Sequence, residues 1–211
     1  YYSRGLFLGI RWTIDYLLAW LPVPLIYLFV AGLLFWLVRT WRRRQVRTWN
    51  QRLLHSSLSL AAFAGGAAFF FLLLWGFNYG RLEIERQLEL DVQPLSTAEL
   101  GRELERETGR LVELRARIPG ASADPLTSAA LPDRLEDHLR DGLEGWLANR
   151  GFPVTGRVRV RRLWPRGIFL RFSSSGLYFP FTGEGHVDAG VHPLQQPYVM
   201  AHELAHGYGF G

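Results

Sequence analysis

The sequence predicts a mainly α-helical protein: a two-span transmembrane helical hairpin followed by an exported α+β domain with a few short strands. Three observations carry this. Residues 16–38 and 53–80 contain no Asp, Glu, Lys or Arg, and a short Arg-rich segment separates them. After Tyr79, charged and apolar residues recur with the periods of a globular domain. The average over 211 residues, 48% apolar, conceals this division. Charge divides the same way: residues 1–52 hold eight Arg against one Asp, and residues 53–211 hold sixteen Arg against eighteen acids. The basic excess of +5 therefore sits between two apolar runs, which argues against nucleic acid as a partner. The absence of Cys excludes disulfide scaffolds and Cys-ligated metal sites.

The membrane region spans residues 1–80. Residues 1–15 hold Arg4, Arg11 and Asp15 among aromatics and aliphatics, a composition that suits an interfacial helix. The first span covers about 16–38, with its regular helix starting near Pro24 because Pro22 and Pro24 disturb a helix interior. Trp20 marks one interface, and Trp36 and Trp41 mark the other. The second span runs over about 53–77 and ends in Trp75 and Tyr79. Arg39, Arg42, Arg43, Arg44, Arg47 and Arg52 fill the loop at 39–52, a positive-inside signal. That loop is expected in the cytoplasm, with the rest of the chain beyond the bilayer. Ala61, Gly65 and Ala68, with Ala62 and Gly66, have small-xxx-small spacing. The first span is their expected partner, and other membrane subunits are the alternative.

Residues 81–211 form the expected extracytoplasmic domain. Residues 81–90 predict a helical continuation out of the membrane, and Ser96 to Glu99 resembles a capping box opening an amphipathic helix up to Pro119. Its apolar positions are Leu100, Leu104, Leu111, Leu114 and Ile118. A loop over 121–133 follows, then a helix from Pro132 closed by Gly151, with His138 on its surface. Residues 154–163, IFLRF (168–172) and LYFPF (177–181) read as strands, with Ser173–Ser175 as a turn. Gly183, Gly185 and Gly190 predict a polar loop. Leu194 to about Tyr208 predicts the last helix.

That helix carries His202, Glu203 and His206 in the pattern HExxH. On an α-helix, positions i and i+4 share a face, so both imidazoles reach one Zn²⁺ while the intervening Glu meets the same cleft. Zinc lowers the pKa of bound water toward 7 and polarises a scissile carbonyl, and Glu203 is the general base that takes the water's proton. Gly207 and Gly209 supply the helix stop.

Several of these segments also carry a family resemblance. SSSGLYFPFTGEGHVD (173–188), HELAHGYGF (202–210), the exit segment WGFNYGR (75–81) and the span–basic loop–span order resemble domain of unknown function 3810, a family of bacterial membrane proteins. The resemblance implies a zincin-like, metallopeptidase-type domain exported from the cytoplasmic membrane. In it His202 and His206 are zinc ligands, Glu203 is the catalytic base, and the third ligand is an acidic residue on the helix that follows. The chain reaches Gly211 before that residue; Gly209 equally fits HExxHxxGxxH, whose third His would fall just past the end. The third ligand is therefore expected beyond residue 211, in keeping with a chain that begins at Tyr1 and reads as part of a longer one. Glu184, His186, Asp188 and His192 are the alternatives from within the chain. Glu184 and Tyr178 are also expected to line the substrate cleft, and the GLYFPF strand to pack its aromatics or to pair with an extended peptide.

Two functions follow as expectations. One is a membrane-anchored zinc metallopeptidase acting on peptides or proteins outside the cytoplasmic membrane. The other is a catalytically silent accessory or structural subunit of a membrane complex. Intramembrane proteolysis is excluded, because the motif lies far past the second span in a polar context.

Overall fold

A computed structural model describes residues 2–18, 20–43, 48–117 and 131–210. Arg44 and Arg47 of the basic loop, Ile118 and Pro119, and most of the expected loop after it (121–130) lie outside the described residues. The chain is mainly helical with one small sheet. It divides into two compact units. One comprises Tyr1–Arg81, Arg134–Val191 and Gln195–Gly211; the other comprises Leu82–Asp133 and His192–Leu194.

In the first unit, α1 (Leu6–Leu18) forms where a helix is expected, with its polarity reversed. Phe7, Arg11 and Asp15, four residues apart on one face, are buried. Trp12, Tyr16 and Leu17 are exposed instead. The charges turn inward because they find partners there: Arg11 pairs with Asp15, and Arg11 Nη1 donates to the Gly183 carbonyl at 2.6 Å.

Helix α2 (Leu25–Arg43) begins directly after Pro24, and α3 covers Trp49–Leu74. They are long and apolar enough to cross a membrane, about 28 and 39 Å at 1.5 Å per residue, and almost wholly exposed. Trp36 of α2 stacks on Phe63 of α3 with centroids 6.0 Å apart. The small-residue face does not join them: a Cβ added at Gly65 or Gly66 would meet nothing within 4 Å beyond its own helix. A 3₁₀ turn, Gly76–Gly80, leads out of α3.

Helix α6 (Leu135–Ala148) ends before Gly151, whose φ of +71° suits glycine. His138 is on its surface. Strands β1 (Arg159–Leu163), β2 (Gly176–Phe179) and β3 (Glu184–Asp188) form a sheet in the order β1-β3-β2, parallel across β1/β3 and antiparallel across β2/β3. Helix α7 (Gln196–Gly207) packs on one face of it. Val158, Val160, Val187, Val199, Met200 and Leu204 form the core between them, closed by Leu147 of α6.

Two segments differ from the sequence expectation. Residues 183–190 are no loop: Glu184–Asp188 is the central strand, every residue buried. Its two carboxylates find partners on the face away from α7. Glu184 accepts the Leu25 N–H at 2.7 Å and pairs with Arg159 at 3.2 Å, while Asp188 accepts from the Gly167, Phe169 and Gly190 N–H groups at 2.6–2.8 Å. The IFLRF segment is no strand. The same Asp188 carboxylate gathers its backbone into a turn with a 3₁₀ segment, Leu170–Phe172.

In the second unit, the continuation expected over 81–90 is a single turn, α4 (Ile84–Gln87), stopped as Glu89 takes a φ of +53°. Helix α5 (Thr97–Ala116) opens with the expected capping box: Ser96 Oγ accepts the Glu99 N–H at 3.4 Å, and Glu99 Oε2 accepts the Ser96 N–H at 2.9 Å. Its apolar stripe (Leu100, Leu104, Leu111 and Leu114) is exposed.

Candidate metal centre

Helix α7 starts with Pro197 in its first turn, where a missing N–H costs nothing. It stops as the Gly209 N–H donates to the His206 carbonyl at 2.8 Å and the Phe210 N–H to that of Ala205 at 3.0 Å, with Gly209 at a φ of +85°. Between these ends, His202 and His206 stand one turn apart with ring centroids 4.6 Å apart. Their Nε2 atoms are separated by 3.0 Å. Two imidazole nitrogens on one tetrahedral zinc, each about 2.0–2.1 Å from it, lie about 3.3 Å apart. The pair is thus close to chelating geometry.

The tautomer of His206 is set from behind. Its Nδ1 lies 2.6 Å from the Phe210 carbonyl, which can only accept, so Nδ1 carries the proton and Nε2 the lone pair. Burial lowers the His206 pKa, favouring the neutral ring a metal requires; the Phe210 carbonyl opposes that shift, and His202 adds to it. Trp75 Nε1 donates to the His206 carbonyl at 3.0 Å. Arg81 lies behind the end of the helix, 5.3 Å from the Phe210 ring centroid.

Glu203 is 4% exposed, and burial pushes its carboxyl up to about 7. Among the described residues its Oε2 has no hydrogen-bond partner. Glycines in the sheet make room for it. A Cβ at Gly176 would stand 2.6 Å from Glu203 Oε1, and one at Gly185 would stand 2.7 Å from Glu203 Cβ. Gly207 likewise lets α7 close onto Val158.

The three motif residues line a cleft of about 520 Å³. Tyr178 lines it too; its hydroxyl accepts from Arg11 Nη1 at 3.2 Å, and burial raises its pKa against the pull of Arg11. Phe71 and Trp75 form another wall. The sequence marked Trp75 only as an interfacial residue; the WGFNYGR segment was the one signal that it had a further role.

Glu184 is not brought to this cleft. Gly185 faces Glu203, so by strand alternation Glu184, His186 and Asp188 lie on the opposite face of the sheet. Burial raises the Glu184 pKa, against the lowering effects of the Leu25 N–H and Arg159. His192 is exposed, its Nδ1 accepting the Leu194 N–H at 3.3 Å. Among the described residues, no group of three or more His, Cys, Asp or Glu is placed to hold a metal ion. The donor set therefore fits two of the three protein ligands of a catalytic zinc: two Nε2 lone pairs, one with its tautomer fixed, beside a buried carboxylate.

The family described as "Protein of unknown function (DUF3810)" matches residues 2–211. No curated protein and no solved structure matches the chain.

Proposed function

We propose that this chain, which belongs to the DUF3810 family, is a membrane-anchored zinc-dependent metallopeptidase with a zincin-like domain outside the cytoplasmic membrane. The observation that carries the reading is the convergence of His202 and His206 Nε2 at 3.0 Å with the buried Glu203 carboxyl in the same cleft. His202 and His206 hold the zinc, and the third protein ligand comes from outside the described residues. Bound there, zinc supplies Lewis-acid polarisation of the scissile carbonyl and acidification of water.

The protein's own residues do the rest. The Phe210 carbonyl keeps the His206 proton on Nδ1. Glu203, raised to about 7, takes a proton and returns it to the leaving amine at neutral pH with little penalty either way. The aromatic walls exclude bulk water from the reacting bond. A membrane anchorage is supported by the two long apolar helices, and a shared exported side by the contacts of the start of α2 and the end of α3. Leu25 bonds Glu184, and Trp75 bonds His206. The Arg loop then lies in the cytoplasm. The open face of Ala61, Gly65 and Ala68 favours a further membrane subunit beside α3, the one feature that also suits the accessory-subunit reading.

Elemental analysis of the purified full chain tests this. About one zinc per chain is expected, lost in His202→Ala and in His206→Ala. Glu203→Gln is expected to keep the metal and lose peptide hydrolysis. Zinc no higher than in the two histidine variants refutes the reading and leaves the accessory subunit.

A further inference from the structure

The walls of the cleft differ from the rest of the chain in charge. In a protein with 24 Arg and 19 acidic residues, the described residues lining this cleft include no Arg and no Asp, and one carboxylate, Glu203. One wall is Phe71, Trp75 and Tyr79; the other is the edge of β2, from which Tyr178 and Gly176 face the motif. Nothing there pairs with a charged side chain of a substrate, and a polar one would lose its water without compensation.

The position of the cleft is equally specific. Phe71 belongs to the last turn of α3, the longer apolar helix, and Trp75 follows directly. The other apolar helix packs on the far face of β2, where the Phe29 ring of α2 meets Phe179 at 5.1 Å and Phe181 at 5.7 Å. The exposed apolar surface of α3 thus leads into the cleft through Phe71 and Trp75. Strand β2 stands at the edge of the sheet, and 42% of Leu177 is exposed along it. At about 520 Å³ the cleft is large enough for a short stretch of chain.

We infer that the substrate of this cleft is an apolar polypeptide segment at the membrane surface, such as the part of a membrane-inserted protein that leaves the bilayer. The inference rests on the metallopeptidase reading, and it names the substrate class of that site. The segment enters from the bilayer side past Phe71, and its apolar side chains replace water against Phe71, Trp75 and Tyr178. Soluble, charged peptides find neither countercharge nor hydration there.

Binding to the full chain in lipid nanodiscs tests it, with Glu203→Gln as the background so that no turnover occurs. The probes are two end-capped, dye-labelled ten-residue peptides, one of Leu, Ala and Phe, the other with each Leu and Phe replaced by Ser or Glu. Empty nanodiscs correct for partition into lipid. The apolar peptide is expected to bind about tenfold or more tighter, since one buried side chain of this size is worth that much. Tyr79→Asn, at an exposed ring of the cleft, and separately Phe71→Asn each reduce that binding several-fold and leave the polar peptide unchanged. Equal or tighter binding of the polar peptide overturns the inference, as does apolar binding indifferent to both substitutions. Repeating the titration with a zinc chelator separates the two readings. An apolar preference with no hydrolysis by the unsubstituted protein upholds the selectivity and removes the peptidase. Preferred hydrolysis of the polar peptide keeps the peptidase and removes the substrate class.

Discussion

His186 gives the protein an acid-sensitive centre on the sheet face away from its proposed chemistry. It lies in the middle of β3 with no exposed surface, and among the described residues neither ring nitrogen has a hydrogen-bond partner. Across the sheet it is in register with Arg161 of β1 and Leu177 of β2, and Glu184 and Asp188 flank it on its own face. Burial holds its pKa down at about 4, against 6.5 for a free imidazole. The ring is therefore neutral when folded at pH 7. As pH falls below 6.5 the unfolded chain binds a proton that the folded chain refuses, so stability present above pH 6.5 is lost progressively down to about pH 4. At 1.36 kcal/mol per unit, the loss between pH 7 and pH 4.5 is about 2 kcal/mol. For a chain of this size that is a fall of about 4–8 °C in melting temperature.

The perturbation is His186→Leu, with His186→Gln as a polar control, followed by tryptophan fluorescence melting in detergent from pH 7 to pH 4.5. Other groups also titrate, but they are common to all three proteins. Burial and the opposing backbone N–H groups leave the Asp188 pKa below its usual range, so its contribution is lost only at lower pH. Both variants are expected to lose about 2 kcal/mol less than the parent over this range. Parallel pH profiles for parent and variants refute the assignment of a neutral, desolvated ring.

Three further outcomes follow from the packing. Gly207→Ala drives a methyl group into Val158, which is wholly buried, and is expected to cost about 1–3 kcal/mol in denaturant unfolding, with zinc retention falling in parallel. Asp15→Asn leaves Arg11 buried without its countercharge and weakens the bond to the Arg157 N–H, now 2.7 Å; a loss of about 3–5 kcal/mol is expected by the same measurement. Asp188→Ala frees the Gly167, Phe169 and Gly190 amides, and their hydrogen exchange is expected to accelerate while that of α5 is unchanged.

What was legible in the sequence was what local chemistry decides. Pro24 dictates where α2 starts, Ser96 and Glu99 cap α5 within four residues, and i,i+4 spacing alone puts His202 and His206 on one face. Strand β3 was illegible because its alternation is polar against small: Glu184, His186 and Asp188 against Gly185 and Val187. Such a segment looks like a loop until its partners are known, and these come from Leu25, Arg159 and the turn at 167–170. The aromatic IFLRF segment misled for the converse reason. Its composition favours a strand, but a carboxylate about twenty residues later holds it as a turn. The same distance effect moved Glu184 away from the cleft, since which face a strand residue occupies is a matter of register.

The buried charges also explain why the first apolar helix and the sheet under α7 belong to one unit. Asp15 accepts the Arg157 N–H at 2.7 Å, Arg11 donates to the Gly183 carbonyl, Arg159 Nη1 donates to the Leu18 carbonyl at 2.6 Å, and Glu184 accepts the first N–H of α2. Each bond joins the segment leading into the first apolar helix to β1, to β3 or to the turn before it. Gly185 of β3 and Gly176 of β2 in turn shape the space for Glu203. Charged groups this deeply buried stabilise little when complete and cost several kcal/mol when one partner is withdrawn. They therefore act as a positional lock: α2 cannot tilt against the sheet without withdrawing the Leu25 N–H from the buried Glu184 carboxylate. The geometry of the Glu203 carboxyl is tied to the seating of the first apolar helix, so a detergent that distorts that helix is expected to disturb the cleft before the core between α6 and α7 gives way.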